Sequence, residues 1–277
     1  MHRPGDLRPG PAAELTTPDE VVAALRAAGC VFAEDEAELL LAAPGPLAPL
    51  LARRVAGEPL EQVLGWAGFD GLRVAMAPGV FVPRQRSELL VRLAADGVRA
   101  GDVAVDLCCG SGALGMALCS RVPGVELHAC DLDPDAVRCA RGNLPGAAVW
   151  QGDLWDALPA RLRGRVQVAL ANAPYVPSEA IALMPTEARD HEPRFTLDGG
   201  GDGLDVHRRI AATAREWLAP GGRLLIEVSD AQTGPAVTLF ERAGLLPAVH
   251  TDDDRGATAV AGTSPLDERG DHRNRPR

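Results

Sequence analysis

Asp106-Leu107-Cys108-Cys109-Gly110-Ser111-Gly112 carries an apolar run, Val103–Leu107, into a glycine-rich turn, and the residues from Ala113 onward have helical spacing. Strand, glycine turn and helix in that order form the opening unit of an open α/β sheet whose backbone can approach a ligand closely. Further apolar, β-rich runs follow at Val125–Cys130, Ala147–Trp150, Val166–Ala171, Gly222–Val228, Leu245–His250 and Ala257–Gly262, with amphipathic stretches between most of them. Continuous apolar strands alternating with helices predict an α/β fold, a doubly wound seven-stranded mostly parallel sheet covered on both faces. Only five residues, Thr251 to Arg255, separate the last two runs. That is too short for a helical crossover, so these strands should pair antiparallel.

Upstream the texture is helical. Thr17-Pro18-Asp19-Glu20 offers a hydroxyl N-cap, proline at the first helical position and acids in the first turn, with Gly29 as the stop. Two more helical stretches, Glu34 to Ala43 and Pro46 to Ala56, flank Pro44-Gly45-Pro46, and together they predict a small helical domain over 15–65. Around Asp70-Gly71, the residues Phe69, Leu72 and Val74 predict a hairpin within a linker at 66–86, ahead of a larger domain at 87–263. Residues 1–14 and 264–277 carry no periodicity and read as disordered.

Composition bounds the function. The 277 residues are 46% hydrophobic and 24% charged, enough for a real core, and no apolar run reaches the length of a membrane helix. The net charge of −10 is a poor match to a phosphate backbone, so nucleic acid is not the expected direct substrate. The N-terminus has no apolar h-region, and a cytoplasmic location is expected. Five of the six cysteines fall between Cys108 and Cys139 without paired C-x-x-C spacing, so reduced, packed thiols are expected and no metal.

Three further motifs follow the glycine turn. Asp131 ends the second strand of the sheet in Cys130-Asp131-Leu132-Asp133, where a carboxylate can accept both hydroxyls of a ribose, although Asp131 or Asp133 could instead cap the helix that starts at Pro134. Asp153-Leu154 follows the third strand, placing a carboxylate for an adenine amino group beside an apolar cover for the ring. Asn172-Ala173-Pro174-Tyr175 follows the fourth strand, near the point where strand order should reverse and ligands bind. An amide side chain, a backbone carbonyl and the chain's only tyrosine are suited there to grip a planar NH2 group. Asn and Pro also mark ordinary turns.

The chain resembles the HemK-type protein glutamine N5-methyltransferases, in a divergent branch. The resemblance rests on Gly57-Glu58-Pro59-Leu60, Val82-Pro83-Arg84 through Glu88, Asp106 to Gly112, Asp131, Gln151-Gly152-Asp153 and Asn172 to Tyr175. It continues through His191-Glu192-Pro193, Leu197 to Asp205, Gly221-Gly222 to Glu227, and Gln232. It implies a class I, Rossmann-like methyltransferase using S-adenosyl-L-methionine, with a peptide-chain release factor as protein partner and its Gly-Gly-Gln loop as target. The implied cofactor residues are Asp106, Cys108, Cys109, Gly110, Ser111, Gly112, Asp131, Asp153, Leu154 and Asn172, and the implied catalytic residues are Asn172, Ala173, Pro174 and Tyr175. Three positions depart from the family pattern: Ala173 replaces a proline, and Cys108 and Ser229 stand where glycine is usual.

Three rivals remain open at the level of sequence. An adenine N6-methyltransferase uses a similar turn on a flipped base but needs a basic surface. A nicotinamide-dependent oxidoreductase explains Gly110, Gly112 and Gly115 as GxGxxG, and Asp131 with them, but leaves Asn172 to Tyr175 idle. A non-catalytic scaffold is the third, on the strength of Ala173 and Cys108. His191 and Glu192 read as surface or hydrogen-bonding groups and receive no catalytic role, and Arg84 and Arg86 could face the substrate, although an arginine before a helix is more commonly a solvated charge.

Overall fold

The computed structural model describes residues 17–266 and divides the chain into two compact units, the first ending at Leu64 and the second beginning at Gly65. The expected disorder of 1–14 lies outside the described residues. Of the 264–277 segment, Ser264 is buried and donates its N–H to the Gly222 carbonyl at 2.8 Å, and 267–277 lie outside the description.

Among the described residues, four helices make the first unit: α1 (Pro18–Ala27), α2 (Ala33–Ala42), α3 (Leu47–Val55) and α4 (Leu60–Leu64). Thr17 caps α1 as its sequence predicts, its hydroxyl accepting the Glu20 N–H while the Glu20 carboxylate accepts the Thr17 N–H. Val21, Leu25, Leu40, Leu51 and Val63 fill the small core. Beside them Arg54 makes a two-pronged pair with Glu36, at 2.6 and 3.0 Å, and both are buried.

The second unit opens with the hairpin β1 (Trp66–Phe69) and β2 (Leu72–Ala75), turned by Asp70 and Gly71, both at positive φ. Along the chain then come α5 (Glu88–Ala95), β3 (Val103–Leu107), α6 (Ala113–Arg121), β4 (Glu126–Asp131), α7 (Pro134–Asn143), β5 (Ala148–Gln151) and β6 (Val166–Ala171). After them run α8 (Thr186–His191), α9 (Asp205–Trp217), β7 (Leu218–Val228), α10 (Thr233–Arg242), β8 (Leu246–Asp252) and β9 (Ala257–Thr263). The seven strands β3–β9 form one sheet in the order β5-β4-β3-β6-β7-β9-β8, parallel except where β9 pairs antiparallel with β7 and with β8. The predicted fold class and the antiparallel final pair are both observed.

Strand alternation sorts the core into two layers. Val103, Val105 and Leu107 of β3 face one layer with Ile210, Trp217 and Phe240 of α9 and α10. Ala104 faces the other, with Leu90, Leu118 and Val137 of α5, α6 and α7. Because β3 has β4 on one side and β6 on the other, the order reverses between β3 and β6, and the loops after these two strands open into one crevice. None of the helices among the described residues is long and apolar enough to cross a membrane.

Candidate functional site

A pocket lies at the carboxyl ends of the central strands, lined by Cys108 to Ser111 after β3, Asp131 to Asp133 after β4, Gly152 to Leu154 after β5, and Asn172 and Pro174 after β6. The sequence motifs from four separate loops are thus brought together. Asp106, Gly112, Ala173 and Tyr175, also named from sequence, do not line it. Asp106 is buried beneath the turn and accepts the Gly115 N–H at 3.0 Å, holding the first turn of α6 against β3. Burial pushes its carboxyl up to about 7, opposed by that N–H and reinforced by the charge of Asp131. Gly112, at φ +80°, turns the chain into α6 where any β-carbon would strike Leu144. Ala173 points its methyl into the core, leaving only its backbone for a ligand.

The two acids after β4 divide their roles. Asp133 caps α7, accepting the Asp135 N–H at 2.9 Å. Asp131 instead accepts the N–H groups of Gly110 at 2.8 Å and Asp133 at 3.0 Å, so its carboxylate is fixed against the glycine turn with burial raising its pKa. Cys108 and Leu154, both lining the pocket, have φ of 55° and 51°, a region that side-chain-bearing residues rarely occupy. Burial pushes the Cys108 and Cys109 thiols well up, which favours the neutral thiol over the thiolate. All six cysteines are free thiols.

Asn172 Nδ2 donates to the Ser87 hydroxyl at 3.0 Å, and Ser87 is fully buried. Its Oδ1 is the atom left to accept from a ligand. Tyr175 is anchored rather than loose. Its hydroxyl donates to Glu227 Oε1 at 2.9 Å and accepts from Arg86 Nη2 at 2.6 Å, while Arg86 Nε donates to the same Glu227 oxygen at 2.9 Å. Burial and the Glu227 charge hold the phenol well above its ordinary pKa. The Tyr175 carbonyl accepts Gln232 Nε2 at 2.8 Å, and Gln232 is itself hooked by Ser229, whose N–H and hydroxyl both donate to its Oε1. Gly203 lies so close that a β-carbon there would fall 2.2 Å from both the Tyr175 carbonyl oxygen and Gln232 Nε2.

Several pocket residues were not singled out from the sequence. Phe81, Phe195, Thr196, Val206 and Arg209 also line it. Val206 and Arg209 stand three apart on α9, and that helical spacing was the available signal. Arg209 Nη2 lies 2.5 Å from Asp153 Oδ2, so the carboxylate expected to meet an adenine amino group has a cationic partner already. Glu192, read from sequence as a loop acid, is buried and paired with Arg84. Arg86, read as a solvated charge, is half-buried against Tyr175 and Glu227.

The residues fit S-adenosylmethionine by the chemistry of their donors. A backbone turn lies beside the Asp131 carboxylate, which two N–H groups fix and which is an acceptor of the kind vicinal hydroxyls need, and a second carboxylate at Asp153 adjoins the apolar Leu154. The family model for the methyltransferase small domain matches residues 71–188. A release factor glutamine methyltransferase of Streptomyces coelicolor is 42% identical over 211 residues, 73% of this chain and 75% of that protein. A 4-amino-L-phenylalanine/4-methylamino-L-phenylalanine methyltransferase of Streptomyces pristinaespiralis is 37% identical over 233 residues, 79% of this chain and 78% of its own. Among solved structures, a methyltransferase from Pyrococcus furiosus superposes with a TM-score of 0.55 at 15% identity, covering 79% of this chain and all of that one, which supports the fold alone. With pocket, sheet order and long relatives in agreement, the chain belongs to the HemK-type release factor glutamine methyltransferase family and takes S-adenosylmethionine as its methyl donor.

Proposed function

We propose that the methyl acceptor is the side-chain amide nitrogen, N5, of a protein glutamine in the Gly-Gly-Gln loop of a peptide-chain release factor. The observation that carries the reading is Asn172: it stands in the same pocket as the glycine turn, Asp131 and Asp153, with Nδ2 held by Ser87 and Oδ1 left to accept. The relatives named above for that activity support it.

When bound, S-adenosylmethionine supplies a sulfonium methyl carbon as electrophile. Cys108 to Ser111, Asp131, Asp153 and Leu154 would hold it, with Asp106 and Gly112 keeping the turn in shape from behind. An amide nitrogen is a weak nucleophile because its lone pair is shared with the carbonyl, so the protein's contribution is orientation. Asn172 Oδ1 and the Ala173 main-chain carbonyl would each accept one amide N–H, which aims the nitrogen lone pair out of the amide plane. No side chain is needed as general base. The nitrogen gains the methyl group and becomes strongly acidic, and its surplus proton passes to water.

The helical unit over residues 17–64 recognises the protein partner in this reading, and the work takes place in the cytoplasm. The net charge of −10 argues against nucleic acid as the acceptor. Incubating purified release factor with methyl-labelled donor should label the loop glutamine. Asn172→Ala should abolish transfer while cofactor affinity stays within a few-fold, and undiminished turnover in that variant would falsify the assignment.

One observation favours a second acceptor. The Streptomyces pristinaespiralis relative, matched over 79% of this chain, is named for an aryl amine on a free amino acid. The pocket here also carries Phe81 and Phe195, surfaces suited to an aromatic ring. Offering 4-aminophenylalanine in the same assay separates the two acceptors. A protein that binds donor and labels neither acceptor would leave both substrate readings without support.

A further inference from the structure

Gln85–Ser87 is a single 3-10 turn between Pro83, which lines the pocket, and α5. Two consecutive residues of this turn hold the two ends of Asn172–Tyr175. Ser87, with no exposed surface, takes the hydrogen bond from Asn172 Nδ2, and Arg86 donates to the Tyr175 hydroxyl while also pairing with Glu227. Both donors to Glu227 use Oε1, and Oε2 is one of two buried side-chain polar atoms without a partner among the described residues.

The Ser87 contact bears on the orientation of the amide as well as on its position. A carboxamide has nearly the same shape with its oxygen and nitrogen exchanged, so packing alone cannot choose between the two orientations. In the structure the NH2 end donates to Ser87 Oγ, whose own proton then points away from the amide, and the oxygen end is left for the ligand. An exposed oxygen accepts from an N–H-bearing acceptor, whereas the exchanged orientation would set a donor against a donor. Tyr175 is pinned at its hydroxyl by Arg86 and Glu227 and at its carbonyl by Gln232, so the turn between it and Asn172 is fixed from both sides.

We propose that Ser87 and Arg86 are positioning residues for methyl transfer. Ser87 fixes the Asn172 amide with its oxygen toward the acceptor, and Arg86 pins Tyr175, so that the turn is set for an acceptor that brings an N–H group. The proposal rests on the reading that Asn172 receives the acceptor's N–H.

Ser87→Ala, Ser87→Thr and Arg86→Gln test it. With a methylated acceptor in hand, Ser87→Ala should lower kcat about tenfold, the size of one lost hydrogen bond, with donor Kd within twofold, and Ser87→Thr should recover most of the loss. Parallel falls in melting temperature, donor affinity and kcat, or no recovery with threonine, would mean a structural role only and overturn the assignment. Two spectra need no acceptor. Asn172 is one of three asparagines, so asparagine-selective ¹⁵N labelling should show its side-chain NH2 signals moving and losing exchange protection in Ser87→Ala. Tyr175 is the sole tyrosine, so a ¹³Cζ-tyrosine label gives one signal, which should shift in Arg86→Gln. Unmoved signals defeat the positioning roles even if the wild type methylates glutamine. Moved signals with no labelled glutamine defeat the substrate reading instead.

Discussion

Arg84 Nη2 lies 2.7 and 2.8 Å from the two oxygens of Glu192, a carboxylate 108 positions further along the chain whose side chain is 1% exposed. The same carboxylate accepts the Val82 N–H at 3.3 Å. Removing the cation leaves a desolvated charge with one fewer partner. Arg84 is itself partly exposed, which moderates the loss, so Arg84→Ala should cost roughly 2 kcal/mol. Urea unfolding checks this. A midpoint unchanged from wild type would show that the pair does not hold the segment after α8 to the segment before α5.

Cys108 holds a left-handed backbone conformation that glycine adopts without penalty. Cys108→Gly should therefore raise stability by about 1 kcal/mol, the strain relieved less the extra entropy of the unfolded chain. The expected result is a higher urea midpoint at an unchanged m-value. A lower midpoint would mean that the thiol's packing outweighs the strain.

Asp153 pairs with Arg209 while both remain about half exposed, so the pair contributes little to stability. Asp153→Ala should leave the melting temperature within about a degree or two, yet weaken S-adenosylmethionine about tenfold through the lost hydrogen bond. Calorimetric titration measures the second quantity. Equal affinity in the variant would remove Asp153 from the cofactor site.

Two buried groups give opposite pH slopes. Asp106 is raised from 3.8 to about 7, so between those values the native state holds a proton that the unfolded chain has released, and stability falls as pH rises. His207, lowered from 6.5 to about 4 by burial, is neutral in the native state where the unfolded chain takes up a proton, so its contribution is lost as pH falls through that window. From about 4 to 6.5 the two oppose each other. Asp106→Asn keeps an acceptor for the Gly115 N–H and deletes the first slope. Its melting temperature, relative to wild type, should climb steadily from pH 4.5 to 7, and a constant difference would contradict the raised carboxyl.

Most of the sheet was legible because strand burial has a period of two and helix burial a period near 3.6, and both are local. Val103–Leu107 and Val166–Ala171 have the same limits in sequence and structure, whereas Leu218–Val228 begins four residues earlier than its apolar pattern, because Leu218 finds a partner in Val166 across a register shift. The glycine turn, Asp131, Asp153 and Asn172 were legible as motifs at strand ends. Sequence could not decide which of Asp131 and Asp133 caps α7, since either carboxylate can accept an N–H from the first turn of that helix. Tyr175 was read as part of the grip on a planar NH2 group, yet its hydroxyl is committed to Arg86 and Glu227, which lie 89 and 52 positions away. Arg86 and Glu192 looked solvated because their partners, Glu227 and Arg84, are more than a hundred residues distant. Burial of a charge depends on such partners, and no local pattern reports them.

The interior place of β9 has a consequence for how the molecule is made. β8 is synthesised first, but its only neighbour among the described strands is β9, which slots between it and β7. Until residues 257–263 leave the ribosome, β7 presents an open edge and β8 has nothing to join. A nascent chain halted before Ala257 would carry that unsatisfied edge into solution, where another chain can pair with it. The final strand therefore acts as the seam that converts an association-prone intermediate into a closed sheet, and it does so only after the pocket-forming loops behind β3, β4, β5 and β6 have already been translated.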